Sequence, residues 1–152
     1  MDEQPEARAW RSLVTAVLVL EEALDRQSQR DGRLPHAYYS LLVILYETPG
    51  HRLPASELAA RLRHSPSRLT HAVTSMEKSG WLARERSATD RRMQIVALTE
   101  AGSRLVRRVS PRQAAEVRAV ALSRLSPHQV GQLEAISTAI VAALDEHGDE
   151  SP

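Results

Sequence analysis

The residues that could carry a function lie in one segment, from Ser65 to Gly80, and they suit contact with a polyanion. At helical spacing its polar side chains form a face of small hydroxyls and cations. These residues are Ser67, Arg68, Thr70, His71, Thr74, Ser75 and Lys78. The one acidic residue of the segment, Glu77, lies near its far end. Because cations and hydroxyls pair with phosphates and base edges, the segment predicts a helix that enters a DNA groove.

The charges of the chain are unevenly divided, although its formal net charge is only +1. Residues 51–110 hold twelve Lys and Arg against five Asp and Glu, a balance of +7. The rest of the chain holds eight basic and fourteen acidic residues, a balance of −6. A local basic field attracts polyanions even where the total charge is small. A solvated surface would explain the same counts, so the charge supports nucleic-acid binding only together with the motif.

The ends of the segment carry the signals that start and stop a helix. Ser65 is a favoured N-cap, and Pro66 fits the first helical position, where a backbone N–H has no partner within the helix. Gly80 suits the left-handed residue that follows a helix, and Trp81 can then fold back on Met76. An apolar stripe at helical spacing predicts the buried face, formed by Leu69, Ala72, Val73 and Met76.

A shorter helix precedes this one. Pro54 begins it, and apolar residues recur at helical spacing over residues 55–63. A tight turn at residues 63–65 then leads into the longer helix. Two helices joined by a turn of this length predict a helix-turn-helix, whose second helix lies in the major groove.

A hairpin is predicted after the helix. Residues 81–86 and 93–98 have the pattern of two short strands, with a polar, cationic tip between them. Arg91 and Arg92 at this tip could reach a minor groove or its phosphates. Asp90 is expected to pair with a nearby arginine and hold its guanidinium. An exposed charged turn is the alternative, and the position of the hairpin after a helix-turn-helix favours a DNA-binding wing.

The remaining segments predict amphipathic helices. From about residue 7 to residue 29, apolar residues alternate steps of three and four, which is typical of a seam for packing against another helix. The last helix begins with a capping box from Ser126 to Gln129. Because these helices lie at opposite ends of the chain, the simplest arrangement packs them together and against a second copy of the chain. An intramolecular bundle is the alternative.

The composition argues against several classes of function. The 152-residue chain has no Cys, which excludes disulfide scaffolds and thiolate zinc sites. Its N-terminus is unlike a signal peptide, and its longest apolar run, Leu13–Leu20, is too short to span a bilayer. The six histidines show no metal-ligand spacing, and the chain has neither a Gly-rich phosphate loop nor a Gly-flanked nucleophile. We therefore expect a soluble cytoplasmic protein that is not an enzyme and uses no membrane, metal or cofactor.

Several stretches of the sequence together form a family pattern. They are Ser56–Leu62, Ser65–Ser67, Glu77–Leu82, Arg84, Asp90–Arg92 and Leu98–Gly102. This pattern, which extends over nearly the whole chain, resembles the MarR-type winged-helix regulators, and the run from Asp90 to Gly102 is its most diagnostic part. The resemblance implies a homodimer joined by its terminal helices, with two winged helix-turn-helix lobes on a palindromic operator. Many members of the family are repressors released by small, often aromatic, anions.

The resemblance also implies which residues contact DNA. Those implied to face the major groove are Ser67, Arg68, Thr70, His71 and Thr74, while Arg92 is implied to reach the minor groove. Phosphate contacts are expected from Arg61, Arg68, Lys78, Arg84 and Arg86. The DNA-binding set is Ser65, Ser67, Arg68, Thr70, His71, Thr74, Lys78, Arg84, Arg86, Asp90, Arg91 and Arg92.

The family's effector pocket lies between the first two helices, the fifth helix and the DNA-binding lobe. The candidate residues for it in this chain are Trp10, His36, Tyr38, Tyr39 and Tyr46. Ordinary core packing of these rings is the alternative, since a concave apolar site cannot be located from sequence.

Two residues depart from the family pattern. Relatives commonly have Gly near Arg63, a residue type that suits a left-handed backbone, so an Arg there would carry strain or mark a different turn. Pro111 falls within a helix that is often continuous in relatives. Because proline removes one backbone hydrogen bond, it predicts a kink or break near Ser110.

These observations predict a mainly α fold with a small β-hairpin wing. Residues 1–33 and 111–152 are predicted to form a helical dimerisation region, and residues 34–110 a winged helix-turn-helix region. Within the latter, the recognition helix is expected at about 66–79 and the wing at about 82–98. The predicted function is sequence-specific transcription regulation by a homodimeric repressor, which a small aromatic or anionic ligand could release. The alternative is a winged-helix protein-interaction module without direct operator recognition.

Overall fold

The computed structural model describes residues 4–149, and the chain forms two compact units that divide after Glu116. The helices of the first unit are α1 (Pro5–Gly32), α2 (His36–Glu47), α3 (Ala55–Leu62), α4 (Pro66–Lys78) and α5 (Glu100–Val117), of which only the last residue of α5 lies beyond the division. Its strands are β1 (Arg52–Pro54), β2 (Leu82–Arg86) and β3 (Gln94–Leu98). The second unit contains a π-helical turn (Arg118–Leu122) and α6 (Pro127–Asp149). This architecture confirms the predicted fold class.

The predicted division into a dimerisation region and a DNA-binding region differs from the division into compact units. α1 belongs to the same compact unit as the winged helix, because it packs against α2. The division by function therefore stays a prediction. Residues 1–3 and 150–152 of the predicted dimerisation region lie outside the described residues.

A three-stranded antiparallel sheet has the strand order β1-β3-β2. β2 and β3 form the predicted hairpin, in which Leu82 lies opposite Leu98. The sequence does not predict β1, which pairs with β3 so that Leu53 lies opposite Val96. Its three residues are too few to show the period of a strand. Pro54 is tolerated because β1 is an edge strand.

One apolar core lies between α2, α3, α4, α5 and the sheet. Its members with no exposed surface include Tyr39, Leu41, Leu42, Leu45, Leu58, Val96 and Val109. The chain has no Phe, so aliphatic side chains fill most of this core. The core buries the predicted apolar stripe of α4 and thereby sets which face of that helix points outward.

The start of α5 is held against the turn that follows α4. Thr99 Oγ1 accepts a hydrogen bond from the Gly102 N–H at 3.1 Å and donates one to the Gly80 carbonyl at 2.6 Å. Gly102 leaves no room for a side chain, since a Cβ there would lie 2.4 Å from the Trp81 carbonyl oxygen. This close approach attaches the turn between α4 and β2 to the start of α5.

Of the kink or break predicted near Ser110, the break is wrong. α5 continues through Pro111 to Val117, and the helical irregularity comes later, as a π-helical turn. Proline removes one hydrogen bond of the helix, but tertiary contacts hold the chain beside it. Val109 is fully buried, and the Ser110 hydroxyl shares a 2.8 Å hydrogen bond with the hydroxyl of Tyr39 on α2. These contacts stabilise a helical path that the local sequence disfavours.

In the second unit, α6 begins with the predicted capping box. Ser126 Oγ accepts the Gln129 N–H at 3.3 Å, and Gln129 Oε1 accepts the Ser126 N–H at 2.9 Å. Residues 127–146 are all exposed, including the large apolar side chains of the predicted stripe.

Candidate nucleic-acid interface

The helix predicted to enter the groove, α4, begins as its sequence requires. Ser65 has extended backbone angles (φ −64°, ψ 154°), and its Oγ accepts the Arg68 N–H at 3.3 Å. Pro66 occupies the first turn, where it needs no hydrogen-bond partner. All residues from Ser65 to Arg68 are exposed. The positive end of the helix dipole therefore faces solvent, where it favours a phosphate.

The end of α4 is also the predicted one. Gly80 has a positive φ of 76°, and its N–H donates to the Glu77 carbonyl at 2.9 Å. The Trp81 N–H donates to the Met76 carbonyl at 3.0 Å. These two bonds form a left-handed helix cap and turn the chain directly into β2.

The two faces of α4 differ sharply in exposure. The predicted stripe is buried, with no member more than 3% exposed, and it consists of Leu69, Ala72, Val73 and Met76. The exposed side chains of the opposite face are Ser67, Arg68, Thr70, His71, Ser75 and Lys78, while Thr74 is half-buried. Because the core fixes the buried face, hydroxyls, cations and an imidazole point outward without a carboxylate between them. These groups can donate hydrogen bonds to phosphates and base edges.

The turn between α3 and α4 contains a left-handed residue, which is the first of the two alternatives for Arg63. Arg63 has φ 54° and ψ 36°, and its N–H donates to the carbonyls of Ala59 and Ala60. The next N–H, that of His64, donates to the Ala59 carbonyl at 2.9 Å. A side chain in this conformation costs roughly 1–2 kcal/mol, and the hydrogen bonds of the helix cap offset part of that cost.

His64 lies at the entrance to α4 and favours its neutral form. Its Nδ1 is buried and has no hydrogen-bond partner within the described part of the chain. Burial, and then the positive charge of Arg68, lower the pKa of His64 below its usual value. The base of the recognition helix therefore gains no charge from this imidazole at neutral pH.

The tip of the wing is organised by Asp90 through the backbone. Its Oδ1 accepts the Arg92 N–H at 2.9 Å, whereas the expected partner was an arginine side chain. The hydroxyl of Ser87 accepts the N–H groups of Thr89 and Asp90, both at 3.3 Å. These bonds shape a turn on which the cationic side chains are exposed, namely Arg86, Arg91 and Arg92.

Arg84 on β2 contacts α4. Its Nη1 forms an ion pair with Glu77 Oε2, and its backbone N–H donates to Glu77 Oε1 at 3.0 Å. Its Nη2 donates to the Thr74 hydroxyl at 2.8 Å and to the Thr70 carbonyl at 3.1 Å. We call this group of four residues the α4–wing clasp. The sequence does not predict the role of Glu77, because seven positions and a turn separate it from Arg84.

The cations of the basic region differ in their availability. Arg61 is engaged, with Nη2 2.6 Å from Glu57 Oε1 and Nη1 3.5 Å from the Thr48 hydroxyl. Arg52 pairs with Glu85 at 3.0 Å. Within residues 4–149, five of the predicted contacts form no ion pair with an acidic side chain, namely Arg68, Lys78, Arg86, Arg91 and Arg92. These five are free to pair with phosphates.

The structure brings together two of the five residues predicted for an effector pocket. The rings of His36 and Tyr39 have centroids 6.4 Å apart. His36 Nδ1 lies 3.2 Å from Gln113 Nε2 on α5, and its Nε2 lies 3.5 Å from the Ser40 hydroxyl. With the bond from Tyr39 to Ser110, these contacts form a polar group between α2 and α5.

The other three candidates lie elsewhere. Tyr46, at the far end of α2, stacks on His51 with ring centroids 5.4 Å apart. Tyr38 is half-buried against the core. Trp10 is 64% exposed on α1. The effector-pocket assignment stays a prediction for all five residues.

Within residues 4–149, no group of three or more His, Cys, Asp or Glu side chains is placed to hold a metal ion. No helix in the same range is long and apolar enough to cross a membrane.

Comparison with known proteins identifies close structural relatives. A sequence profile described as the MarR family matches residues 34–93. The structure of Sco3205, a MarR family transcriptional regulator from Streptomyces coelicolor in complex with DNA, matches with a TM-score of 0.88 and 40% identity. That match covers 94% of this chain and 93% of Sco3205. AbsC, a MarR family transcriptional regulator from the same organism, matches with a TM-score of 0.90 and 32% identity, covering 96% and 98% of the two chains.

A curated relative is matched over a smaller share of its own length than these two structures are. The transcriptional repressor MprA of Escherichia coli (strain K12) is 32% identical over 108 residues. This match covers 71% of the present chain and 61% of MprA, so the chain spans less than two thirds of that relative.

Proposed function

Because this chain belongs to the MarR family of DNA-binding transcriptional regulators, we propose that it is a homodimeric repressor of a palindromic operator. The observation that carries the proposal is the outward face of α4, which presents donors and no carboxylate. Arg68 is the exposed guanidinium nearest the start of this face, and it can bind a guanine through two parallel hydrogen bonds. The cations of the wing add contacts that carry affinity rather than sequence preference.

The proposed dimer is supported by apolar surface that the single chain leaves exposed. In the first unit, α1 exposes 66% of Leu18 and 64% of Trp10. In the second unit, α6 exposes 58% of Ile136 and 63% of Leu144. Contiguous exposed apolar surface marks interaction sites. A two-fold partner would cover these faces and present two recognition helices to half-sites one helical turn apart.

The test of DNA binding begins with selection of a duplex from a randomised library. We expect the protein to enrich a palindromic sequence, to bind it as two chains per duplex, and to bind it less tightly as salt rises. Mobility shift at two salt concentrations and light scattering measure these three properties. Arg68→Ala should reduce the preference for the selected sequence, while the control Arg26→Ala on α1 should not. Enrichment of no sequence at low salt would favour the protein-interaction module.

Repression is tested by placing the selected duplex between a promoter and a reporter gene. Expression of the protein should lower reporter output, because a bound dimer blocks the polymerase. Arg68→Ala should restore the output. An increase in output on expression of the wild-type protein would identify an activator and contradict the repressor assignment.

A second candidate function, release from DNA by a small aromatic or anionic ligand, is supported by unsatisfied polar groups. The side chains of Gln27 and Ser28 on α1 are fully buried, yet Gln27 Oε1 and Ser28 Oγ have no hydrogen-bond partner within the described residues. Buried polar atoms normally have partners, so such atoms indicate a place for a water or a ligand. The polar group around His36 and Tyr39 supplies further hydrogen-bonding side chains on the neighbouring α2.

Ligand release is tested with a panel of phenolic acids. A true effector should raise the melting temperature and lower the affinity for the selected duplex at the same concentration. Tyr39→Phe removes only the hydroxyl. If the ligand binds beside His36 and Tyr39, this variant should show a smaller rise in melting temperature and a smaller loss of affinity for the duplex. A panel that changes neither property would leave a DNA-binding protein without this kind of effector.

A further inference from the structure

We propose that Thr74 recognises a thymine through its methyl group and that Arg84 is the residue that holds Thr74 in place for this contact. The inference rests on the proposed operator binding by α4. It assigns to one position of the recognition helix a hydrophobic contact with a base, although the residue carries a hydroxyl. It also assigns Arg84 a role inside the α4–wing clasp in place of a contact with phosphate.

The hydroxyl of Thr74 is already engaged within the protein. Its Oγ1 donates a hydrogen bond to the Thr70 carbonyl at 2.8 Å and accepts one from Arg84 Nη2 at 2.8 Å. A hydroxyl has one donor hydrogen and two acceptor sites, so its only donor is used. The hydroxyl hydrogen cannot reach a base without breaking its bond to the Thr70 carbonyl. The γ-methyl group takes no part in these hydrogen bonds.

The position of Thr74 on α4 suits a base contact. It lies three residues after His71 and seven after Ser67, and at helical spacing these residues share one face. Ser67 and His71 are exposed, while Thr74 is half-buried and its hydroxyl contacts Arg84. An apolar group at this place would meet the floor of the groove rather than the phosphates.

Arg84 fixes the orientation of Thr74 through three contacts with α4. Its guanidinium pairs with Glu77 and donates to both the Thr74 hydroxyl and the Thr70 carbonyl. The planar guanidinium thus has both terminal nitrogens occupied, and its side chain is 24% exposed against 28% for Glu77. A guanidinium that is bound through both terminal nitrogens fixes the positions of the oxygen atoms that accept its hydrogen bonds. Rotation of Thr74 about χ1 would break the bonds from its hydroxyl to Thr70 and Arg84.

The partner that fits this arrangement is the C5 methyl of thymine. Among the groups on the major-groove edges of the four bases, it is the apolar one. Contact between two methyl groups removes about one methyl from water, which changes affinity by about fourfold. Deoxyuridine has the same hydrogen-bonding edge as thymidine and lacks only this methyl, so it isolates the contact.

The experiment uses the duplex selected for the proposed operator and replaces each thymidine in turn with deoxyuridine. For the wild-type protein, we expect one position in each half-site at which the replacement weakens binding by about fourfold. Thr74→Ser keeps the hydroxyl and removes the methyl, so it should abolish this deoxyuridine effect. Thr74→Val removes the hydroxyl, but valine strongly prefers one χ1 rotamer in a helix and has a methyl at both branches, so it should hold a methyl in this position without Arg84 and retain the effect.

Two results would overturn the assignment of Thr74. A third result would instead contradict the proposed operator binding. Tight binding of the selected duplex with no deoxyuridine-sensitive position would contradict the methyl contact while leaving operator binding intact. Retention of the effect in Thr74→Ser and its loss in Thr74→Val would identify the hydroxyl as the recognising group. Failure to select any duplex would refute operator binding itself.

The role of Arg84 is tested by Arg84→Met against Arg86→Met, an exposed arginine two positions further along β2. Arg84→Met should reduce the deoxyuridine effect and leave the salt dependence of binding unchanged. Arg86→Met should reduce the salt dependence and keep the deoxyuridine effect. Arg84→Lys, which keeps the positive charge and lacks the planar guanidinium that contacts Thr74 and Thr70, provides a second variant should Arg84→Met fail to fold. An undiminished deoxyuridine effect in a folded Arg84 variant would overturn the positioning role.

Discussion

The winged helix and the terminal helices contain the same kinds of apolar residue in opposite surroundings. In the winged helix, Leu42 and Leu45 have no exposed surface, and the stripe of α4 is buried against the same core. On α1 and α6, side chains such as Leu18 and Leu144 are more than three-fifths exposed. Helical periodicity predicts an apolar face in both regions, and only the structure shows which of those faces is buried within its own compact unit.

This difference predicts two kinds of stability. The winged helix buries its stripes within one chain, so its stability should not depend on protein concentration. If a second copy of the chain covers the exposed faces of α1 and of α6, as proposed, the stability of those helices should rise with protein concentration by mass action. The predictions below test this division, from the largest expected effect to the smallest.

The largest effect should come from the same substitution made in the two regions. Leu42→Ala leaves a cavity in the closed core and should lower the free energy of unfolding by about 2–5 kcal/mol at every protein concentration. Leu18→Ala removes an exposed side chain and should act mainly on self-association. Chemical denaturation at two protein concentrations, with analytical ultracentrifugation, measures both effects. Equal, concentration-independent losses would show that α1 is stabilised within its own chain.

DNA recognition and self-association should be lost in different variants. Arg68→Ala should reduce discrimination at its base pair by about 1–3 kcal/mol and leave the dimer intact, because Arg68 lies on the exposed face of α4. Ile136→Glu should dissociate the dimer and leave the order of base preference unchanged. Competition binding with single-base variants of the operator measures the preference. An equal loss on all sequences for Arg68→Ala would assign Arg68 to a phosphate.

The wing should contribute affinity without sequence preference. Arg92→Ala should lower the slope of log affinity against log salt by about one, since it removes one phosphate or groove contact. Arg26→Ala, on α1, is the matched control and should leave the slope unchanged. Fluorescence anisotropy over a salt series gives both slopes. A slope that is the same for Arg92→Ala and the wild type would place the wing tip outside the interface.

The smallest effect concerns pH and is confined to the winged helix. Burial lowers the pKa of His64, so below pH 6.5 the unfolded chain binds a proton that the folded chain resists. Stability should therefore fall as the pH decreases through this value and be fully present above it. Thermal unfolding at pH 7.5 and pH 5.5 measures the change. His64→Gln should reduce it, and an identical pH dependence in that variant would assign the effect to other groups.

Features with local causes were predictable from the sequence. The limits of α2 and the caps of α4 follow from signals within a few residues, such as the Ser65 hydroxyl and the left-handed Gly80. The hairpin follows from a change of period after Gly80. The left-handed conformation of Arg63 decides between the two alternatives that the family pattern left open, a strained left-handed residue and a different turn.

Features that depend on distant partners were not predictable. β1 exists because β3 supplies its hydrogen bonds, and its own three residues have no strand signal. α5 passes through Pro111 because Val109 and Ser110 are held from outside the helix. In both cases the deciding contact is one that spacing along the chain does not encode. The bond from the Arg92 N–H to Asp90 differs, because it spans only two residues and is an Asx turn that the sequence could have predicted.

The sequence by itself determined that α4 is an amphipathic helix with a polar face fit for DNA, because period, caps and charge are local properties. The tertiary structure decided what that face can do. It buried the apolar stripe against a core from four other elements, and it brought Arg84 from β2 to engage the hydroxyl of Thr74. Spacing along the chain thus sets which residues form the face. The donors, acceptors and methyl groups that remain available to DNA depend on hydrogen bonds that form only when the chain has folded.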